Sequence, residues 1–400
     1  MKRHMADKLL LKICDNSWDT ASRDRRELSV CRELGARVLV MARGEPSDHG
    51  RQDTDGENEV LYYGTRPLGD RVPKMLNRLA AVVIWANAAR KLKADVISGH
   101  NLPGLAIGWV SNWFVPRKKK ALLVYDAHEY EAGRIAGRSR LLQWAIRQAE
   151  RFLIQRCAFS IMINESIAQA VQADYHMSLP IVIAKSTPGY WHLDKSESAR
   201  IRREYCEKLG VPEDTFIVSY HGNIQQFRGL EEIIEALRLD PTLYSVWIGN
   251  AQTEEAKVYE QTLLQRAKET GVADRLLRYP AQPRDELWKY VSAAAAAIAM
   301  NDSRNPNYKY ALPNKFFESI QSMTPIICSD TVEMGQIVKK YDIGLLVPSG
   351  DGAALAAAIE RLREDRAMYE RFKKNLVRAK EELCWEHEKE NLKKAYQKYL

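Results

Sequence analysis

Twice along this chain, short apolar runs alternate with longer segments whose apolar residues recur at helical spacing, and that alternation restricts the chain to parallel α/β architecture. In the first series strands are expected over Lys8–Cys14, Arg37–Ala42, Glu59–Tyr63, Asp95–Ser98, Ala121–Tyr125, Ser160–Ile163 and Ile181–Ala184. Helices fall between them over Ser22–Leu34, Val72–Lys93, Leu102–Trp113, Leu141–Cys157 and Ser166–Tyr175. The second series places strands at Thr215–Tyr220, Tyr244–Gly249, Leu276–Tyr279, Ala295–Met300, Pro325–Ser329 and Ile343–Val347. Its helices are Leu230–Leu237, Glu254–Thr270, Arg284–Ser292, Pro313–Met323 and Ala354–Arg363. Ser186–Asp194, with a proline, a glycine and two aromatics, reads as the connection. The expected organisation is two Rossmann-like domains, 1–190 and 191–375, and a terminal helix over 376–400 that docks back on the first. Two parallel sheets of similar size imply a cleft, and ligands of such sheets bind at the carboxyl ends of strands.

Composition excludes several classes. The 400 residues suffice for two full cores. No apolar run approaches the roughly 18 residues of a membrane span, and the N-terminus lacks a secretory h-region, so a folded cytoplasmic protein is expected. Six scattered cysteines without a Cys-x-x-Cys pair argue against a disulfide or zinc framework. The first strand runs into Asp15-Asn16-Ser17-Trp18-Asp19 rather than Gly-x-Gly-x-x-Gly, which counts against a dinucleotide enzyme. Walker, His-Glu-x-x-His and Gly-x-Ser-x-Gly motifs are also missing.

Net charge is +9 over residues 1–190 and −1 over 191–400. The excess concentrates in Arg117–Lys120 and in Arg134, Arg138, Arg140, Arg147, Arg151 and Arg156, interleaved with Leu141, Leu142, Trp144 and Phe152. A segment of this kind can lie on an anionic membrane or hold an anionic acceptor. It can equally be a solvated helix whose apolar side packs on its own sheet. Nucleic acid is not an expected partner, since no recognition motif is present.

Three places carry candidate chemistry. In Tyr310–Glu318 a proline opens a helix and Lys315 sits in its first turn, where the macrodipole disfavours a cation unless an anion is bound at the helix mouth. Glu318, one turn on, could accept from sugar hydroxyls behind the phosphates; the same two residues could also form an ordinary surface ion pair. The strand-to-helix loop His221–Gly229 holds Gly222 and Asn223 and ends on Arg228, which can grip phosphate oxygens. Tyr125-Asp126-Ala127-His128-Glu129 follows a buried strand, so its polar groups would line the site end of the first sheet. His128 could bond a substrate hydroxyl or move a proton, with Asp126 and Glu129 orienting it or facing an acceptor.

Arg-Gly-Leu-Glu-Glu-Ile-Ile-Glu-Ala (228–236), Leu-Pro-Asn-Lys-Phe-Phe-Glu (312–318), Thr-Pro-Ile-Ile-Cys-Ser-Asp (324–330) and Ile-Gly-Leu-Leu-Val (343–347) together resemble the retaining glycosyltransferases of family 4, with the GT-B fold. Tyr-Asp-Ala-His-Glu (125–129), Asn-Glu-Ser-Ile-Ala (164–168) and Cys384-Trp385-Glu386 extend the likeness over nearly the whole chain. The resemblance implies sugar transfer from a nucleotide-diphosphate donor, UDP or GDP, to a saccharide or lipid-linked acceptor, with anomeric retention, no metal and no other cofactor. It implies that Arg228 and Lys315 bind the diphosphate and stabilise the leaving group, that Glu318 holds the ribose, and that His128 contacts the transferred sugar. Gly222, Asn223, Tyr279, Tyr310 and Asn314 would complete the donor site, while Asn16, Asp126 and Glu129 would face the acceptor. The chain departs from the family pattern at Tyr310, where a glutamate is usual, at Asn223, where many members have arginine, and at Met323, where glycine is common. A non-catalytic nucleotide- or partner-binding subunit and a nucleotide-sugar epimerase of the same fold are the alternatives.

Overall fold

The computed structural model describes residues 8–46, 48–135, 137–176, 178–302 and 306–399. Leu400 and the side chain of Arg134 lie outside the described residues. The chain forms two units: one runs to Lys185 and takes in the chain again from Glu388, and the other is Ser186–His387.

The first unit contains β1 (Leu9–Ser17), α1 (Ser22–Glu33), β2 (Arg37–Arg43), β3 (His49–Asp55), β4 (Asn58–Tyr63), α2 (Lys74–Leu92), β5 (Val96–His100), α3 (Asn101–Ser111), β6 (Leu122–Ala127), α4 (Glu131–Arg134), α5 (Arg140–Ile154), β7 (Phe159–Met162), α6 (Glu165–Tyr175) and β8 (Ile181–Ile183). The strands order as β3-β4-β2-β1-β5-β6-β7-β8, all parallel except β3, which pairs antiparallel with β4. Leu10, Leu11 and Ile13 of β1 are buried, as a strand covered on both faces requires. Because β1 lies between β2 and β5, the strand order reverses there, and the carboxyl ends of β1 and β5 flank a topological switch point.

The second unit contains α7 (Lys195–Leu209), β9 (Ile217–His221), α8 (Leu230–Leu239), β10 (Tyr244–Ile248), α9 (Glu254–Glu269), β11 (Leu276–Tyr279), α10 (Leu287–Ser292), β12 (Ala296–Ala299), α11 (Pro306–Lys309), α12 (Asn314–Gln321), β13 (Ile326–Ser329), α13 (Val332–Tyr341), β14 (Gly344–Val347), α14 (Gly352–Glu364) and α15 (Arg366–Glu382). Its six strands are all parallel, in the order β11-β10-β9-β12-β13-β14. The switch point falls between β9 and β12. Val218, Tyr220, Ile233, Leu237, Trp247 and Ile298 pack one face of this sheet against α8 and its neighbours.

A last helix, α16 (Trp385–Tyr399), begins in the second unit and returns to the first. There Tyr396 and Tyr399 set their rings 5.2 and 5.4 Å from Phe159, and Lys389 and Lys393 reach Glu33 at 3.2 and 3.4 Å.

Several expectations are corrected. The 376–400 helix is two helices, because Leu383 leaves helical geometry (φ −111°, ψ 52°) and the chain turns before Trp385. The boundary near 190 moves back to Lys185, since the connecting segment packs into the second unit: Trp191 N–H donates to Gln321, and Trp385 N–H donates to Pro188 O at 2.7 Å. Strand β3 was not expected because His-Gly-Arg-Gln-Asp-Thr-Asp carries no apolar signal; backbone pairing with β4 forms it at an exposed edge. Helices α7 and α13 were not expected either, and α7 buries only Ile201, Tyr205 and Cys206. Pro313 is the N-cap of α12 rather than its first residue, with an extended backbone (φ −70°, ψ 148°).

Candidate functional site

The candidate residues of the second unit gather around the carboxyl ends of β9 and β12, on α12 and on the loop before α8. Lys315, in the first turn of α12, is 5% exposed, and its ammonium donates to Met300 O at 2.6 Å and to Arg228 O at 3.3 Å. Its Nζ also lies 4.8 Å from the centre of the Tyr220 ring. Among the described residues no carboxylate lies within ion-pair distance of it, so the surface-pair reading with Glu318 fails. Burial, and then the nearby Arg228 charge, push the Lys315 pKa well below 10.5. The Arg228 guanidinium sits 5.0 Å from the Tyr308 ring centre and, with the Gln225 amide turned to satisfy both groups, donates Nε to it at 3.1 Å.

Glu318 lies one helical turn behind Lys315 at 8% exposure, with His221 Nε2 at 3.6 Å and Arg284 Nε at 3.5 Å. His221 ends β9 in full burial, and both its ring nitrogens lack hydrogen-bond partners; burial and the Lys315 charge push it down to about 3. The buried amide of Asn301, just past β12, is likewise without a partner. Gly222 takes φ 119°, and its carbonyl lies so near Gly249 that a Cβ there would meet it at 1.9 Å. Glycine at 249 permits this close approach of two strand-end loops, and glycine at 222 permits the positive φ. Asn223 is exposed, its carbonyl accepting from Tyr220 OH at 2.7 Å. Asn314 opens α12 with an exposed side chain, and Tyr310 lies in the turn before it.

Tyr279 is placed otherwise than expected. Its ring packs edge-on against Tyr205 at 5.3 Å, and its hydroxyl meets Glu204 and Lys208 of α7, so the side chain is consumed by the core. The turn after it survives as a candidate, because Ala281 N–H donates to Asn250 Oδ1 at 3.1 Å.

In the first unit His128 stands over a buried ionic cluster. Asp126, expected to orient His128 or to face an acceptor, is 1% exposed: Oδ2 accepts from His128 Nε2 at 2.9 Å and Lys12 Nζ at 2.7 Å, and Oδ1 from Arg23 Nη2 at 3.2 Å. A carboxylate so enclosed orients its neighbours and does not touch an acceptor. Lys12 also lies 3.0 Å from Asp24 Oδ1 and bonds Glu27, whose other oxygen takes Ser98 Oγ at 2.7 Å and the Tyr396 hydroxyl. His100 Nδ1 faces Asp24 Oδ1 at 3.0 Å, and its Nε2 is 2.9 Å from the Asn16 amide. The rings of His100 and His128 are 3.8 Å apart.

The electrostatics of this cluster are divided. Burial opposes the Lys12 charge, but Asp126, Glu27 and Asp24 outweigh it and hold its pKa well above 10.5. Burial likewise opposes charge on His100, yet its bond to Asp24 lifts it to about 10. For His128 burial prevails over Asp126 and Asp24 and lowers it to about 4. Asp24, Asp126 and His128 bring ligand-type atoms within 4.8 Å of one another, but the Lys12 ammonium already lies among these carboxylates and they are not read as metal ligands. Glu129 is exposed beside His128. Lys12, Arg23, Asp24, Glu27, His100, His221 and Asn301 were not singled out in the sequence. Lys12 had a visible signal, a lone cation inside Leu-Leu-Leu-Lys-Ile-Cys.

Helix α5 buries only Glu150, Leu153 and Ile154. Leu141 (75% exposed), Trp144 (60%), Leu142 and Phe152 remain on its surface with Arg140, Arg147 and Arg151. Its C-terminal Leu153 and Ile154 are buried and Phe152 meets the Trp109 ring edge-on at 5.2 Å, so the unpacked apolar residues are those of its first turns. Among the described residues no helix is long and apolar enough to cross a membrane.

Both units match models of glycosyltransferase domains. Residues 25–182 match the glycosyl transferase 4-like domain and residues 201–378 the glycosyl transferases group 1, so the chain belongs to this family of GT-B glycosyltransferases and is a sugar-transferring enzyme. It is 24% identical to D-inositol 3-phosphate glycosyltransferase of Corynebacterium diphtheriae over 389 residues, covering 92% of this chain and 88% of that one. It is 29% identical to lipopolysaccharide core biosynthesis glycosyltransferase LpsD of Rhizobium meliloti over 164 residues, 41% of this chain and 44% of that one. Its fold is similar to sucrose-phosphate synthase from Thermosynechococcus elongatus (TM-score 0.75, 17% identity, 98% and 99% of the two chains). It is also similar to Anabaena HepE in complex with UDP-glucose (TM-score 0.72, 14% identity, 96% and 98% covered).

Proposed function

We propose that this enzyme transfers a sugar from a nucleotide-diphosphate donor, with retention at the anomeric carbon and without a metal, to a saccharide or lipid-linked acceptor. The observation that carries the reading is Lys315: a buried ammonium at the β9/β12 switch point, held by two carbonyls, beside Arg228 and in the first turn of a helix. Two cations and a helix N-terminus converge where an anion, and not a carboxylate of the chain, would balance them. A diphosphate fits that position. UDP-glucose in the HepE structure of similar fold favours uridine over guanosine in the donor.

On this reading Arg228 and Lys315 hold the diphosphate, Gly222 and Asn223 let the backbone approach it, and Asn314 borders the helix mouth. Glu318 takes the ribose hydroxyls, the 279–281 turn neighbours the base, and Tyr310 stands near the donor sugar. His128 accepts a hydrogen bond from a sugar hydroxyl, and Asn16 and Glu129 border the acceptor. The bond from anomeric carbon to phosphate oxygen breaks through an oxocarbenium-like state, the acceptor oxygen bonds the same face, and its proton passes to the departing phosphate. Lys315 and Arg228 act where charge develops on that oxygen, which is the effective place for fixed cations.

The exposed apolar and cationic side chains of α5 suit an anionic membrane surface, which would bring a lipid-linked acceptor to a cytoplasmic enzyme at the inner face. A donor-turnover assay over UDP-, GDP-, ADP-, CMP- and dTDP-sugars tests the function. Nucleotide release by wild type, lost in Lys315→Ala and Glu318→Ala, is expected; nucleotide binding without turnover of any donor would instead indicate a non-catalytic subunit.

A further inference from the structure

The ionic cluster under His128 reaches that ring through Asp126, whose Oδ2 bonds both Lys12 Nζ and His128 Nε2. Lys12 is fully buried in β1 and its ammonium touches three carboxylates, Asp24, Glu27 and Asp126. Arg23 fixes the second oxygen of Asp126 and donates Nη1 to Ala184 O at 2.7 Å, so the carboxylate is held from two sides. An ionised carboxylate can only accept. The ring nitrogen facing it, His128 Nε2, must then carry the proton, and Nδ1 of the neutral ring is left with its lone pair.

Without the ammonium the same geometry would not hold. Asp24 Oδ1 lies 3.6 Å from His128 Nε2 and Asp126 Oδ2 lies 2.9 Å from it, so two carboxylates would crowd one ring nitrogen. Like charges this close share a proton. A protonated Asp126 becomes a donor and can reverse the tautomer of His128. The remaining neighbours do not fix it: Asn101 Oδ1 accepts only the His128 backbone N–H, at 2.9 Å, and the His100 ring lies alongside.

We infer that Lys12 is a positioning residue for His128: by keeping Asp126 an ionised and immobile acceptor, it holds the ring with Nε2 protonated and Nδ1 open to a sugar hydroxyl. This rests on the proposed role of His128 at the substrate. Glu27 completes the device, because the Tyr396 hydroxyl from α16 and Ser98 restrain the carboxylate that flanks the ammonium.

Nitrogen-15 NMR of the full-length enzyme with labelled histidine reads the tautomer directly. Wild type is expected to show His128 as the Nε2–H form, and the Nδ1–H form would overturn the inference. Lys12→Met should populate Nδ1–H and lower kcat/KM about tenfold, the value of one hydrogen bond. In a double-mutant cycle, Lys12→Met added to His128→Ala should cost no further activity beyond about twofold, since residues acting through one contact are not additive. Additive losses would assign Lys12 a merely structural role. Should Lys12→Met not fold, Lys12→Gln, which can still donate to Asp126 but brings no charge, is expected to shift the tautomer toward Nδ1–H with the same loss; an unchanged tautomer overturns the inference. If His128→Ala alone leaves activity intact, the substrate role of His128 fails, and the tautomer of Lys12→Met still decides whether Lys12 sets the ring.

Discussion

Lys315 Nζ lies 2.6 Å from the carbonyl oxygen of Met300, which ties the first turn of α12 to the end of β12. Two carbonyl dipoles do not repay the burial of an ammonium, a cost that the proposed anion would offset when bound. Lys315→Met should therefore leave the ligand-free Tm unchanged or higher while weakening nucleotide binding by about tenfold or more, the loss of a charged hydrogen bond. Thermal melts with and without nucleotide check this; a large fall in the ligand-free Tm would mean that the lysine is structural.

The depressed Lys315 pKa has a linked consequence. Between the folded value and 10.5 the unfolded chain binds a proton that the folded chain does not, so this group's contribution to stability rises with pH across that window and is lost as pH falls through it. On the proposed reading a bound diphosphate restores the charge. Nucleotide binding should then take up a proton at pH values above the depressed pKa, seen by titration calorimetry in buffers of different ionisation enthalpy. Binding with no proton uptake at any pH above neutrality would contradict the depression.

The pKa values of His128 and His100 are displaced in opposite directions. With His128 lowered to about 4, the unfolded chain takes up the extra proton between about 4 and 6.5, so its contribution to stability falls on acidification through that range. With His100 raised to about 10, its contribution is complete below 6.5 and is lost as pH rises toward 10. NMR titration should find His128 neutral at pH 6, and kcat/KM should show no acidic limb near 6.5 from this residue. A limb at 6.5 that vanishes in His128→Ala would disprove the assignment.

Liposome flotation addresses α5. Binding should require anionic lipid, weaken as salt rises from 0.05 to 0.5 M by the ordinary screening of charges, and fall in Arg147→Glu/Arg151→Glu. Replacing Trp144 with Ser should weaken it without altering the salt dependence. Absence of binding at low salt would leave these arginines to the solvated surface.

The sequence carried the two-sheet architecture because parallel strands, buried on both faces, leave apolar runs such as Ile-Val-Ser-Tyr at 217–220 that alternate with helical periods. Edge strand β3 left no such run, since only backbone bonds make it. Lys315 was legible for a local reason, a cation in a helix's first turn, and so was Arg228. The Lys12 cluster was not, because its members come from β1, α1, β5, β6 and α16, and nothing along the chain announces which side chains long-range packing brings together. The acceptor-facing role read for Asp126 failed for the same reason, since strand-end position suggested exposure but the lysine opposite it was invisible, whereas its orienting role toward His128 agrees with their hydrogen bond. Tyr279 likewise followed the strand end, while α7, whose residues capture its hydroxyl, was not foreseen.

The central claim, that Lys315 and Arg228 form a diphosphate site, is tested most directly by calorimetric titration of UDP into wild type, Lys315→Met and Arg228→Met. Saturable binding by wild type, weakened about tenfold or more in each variant with the fold intact, is the predicted result. Equal affinity of all three proteins for UDP would contradict it.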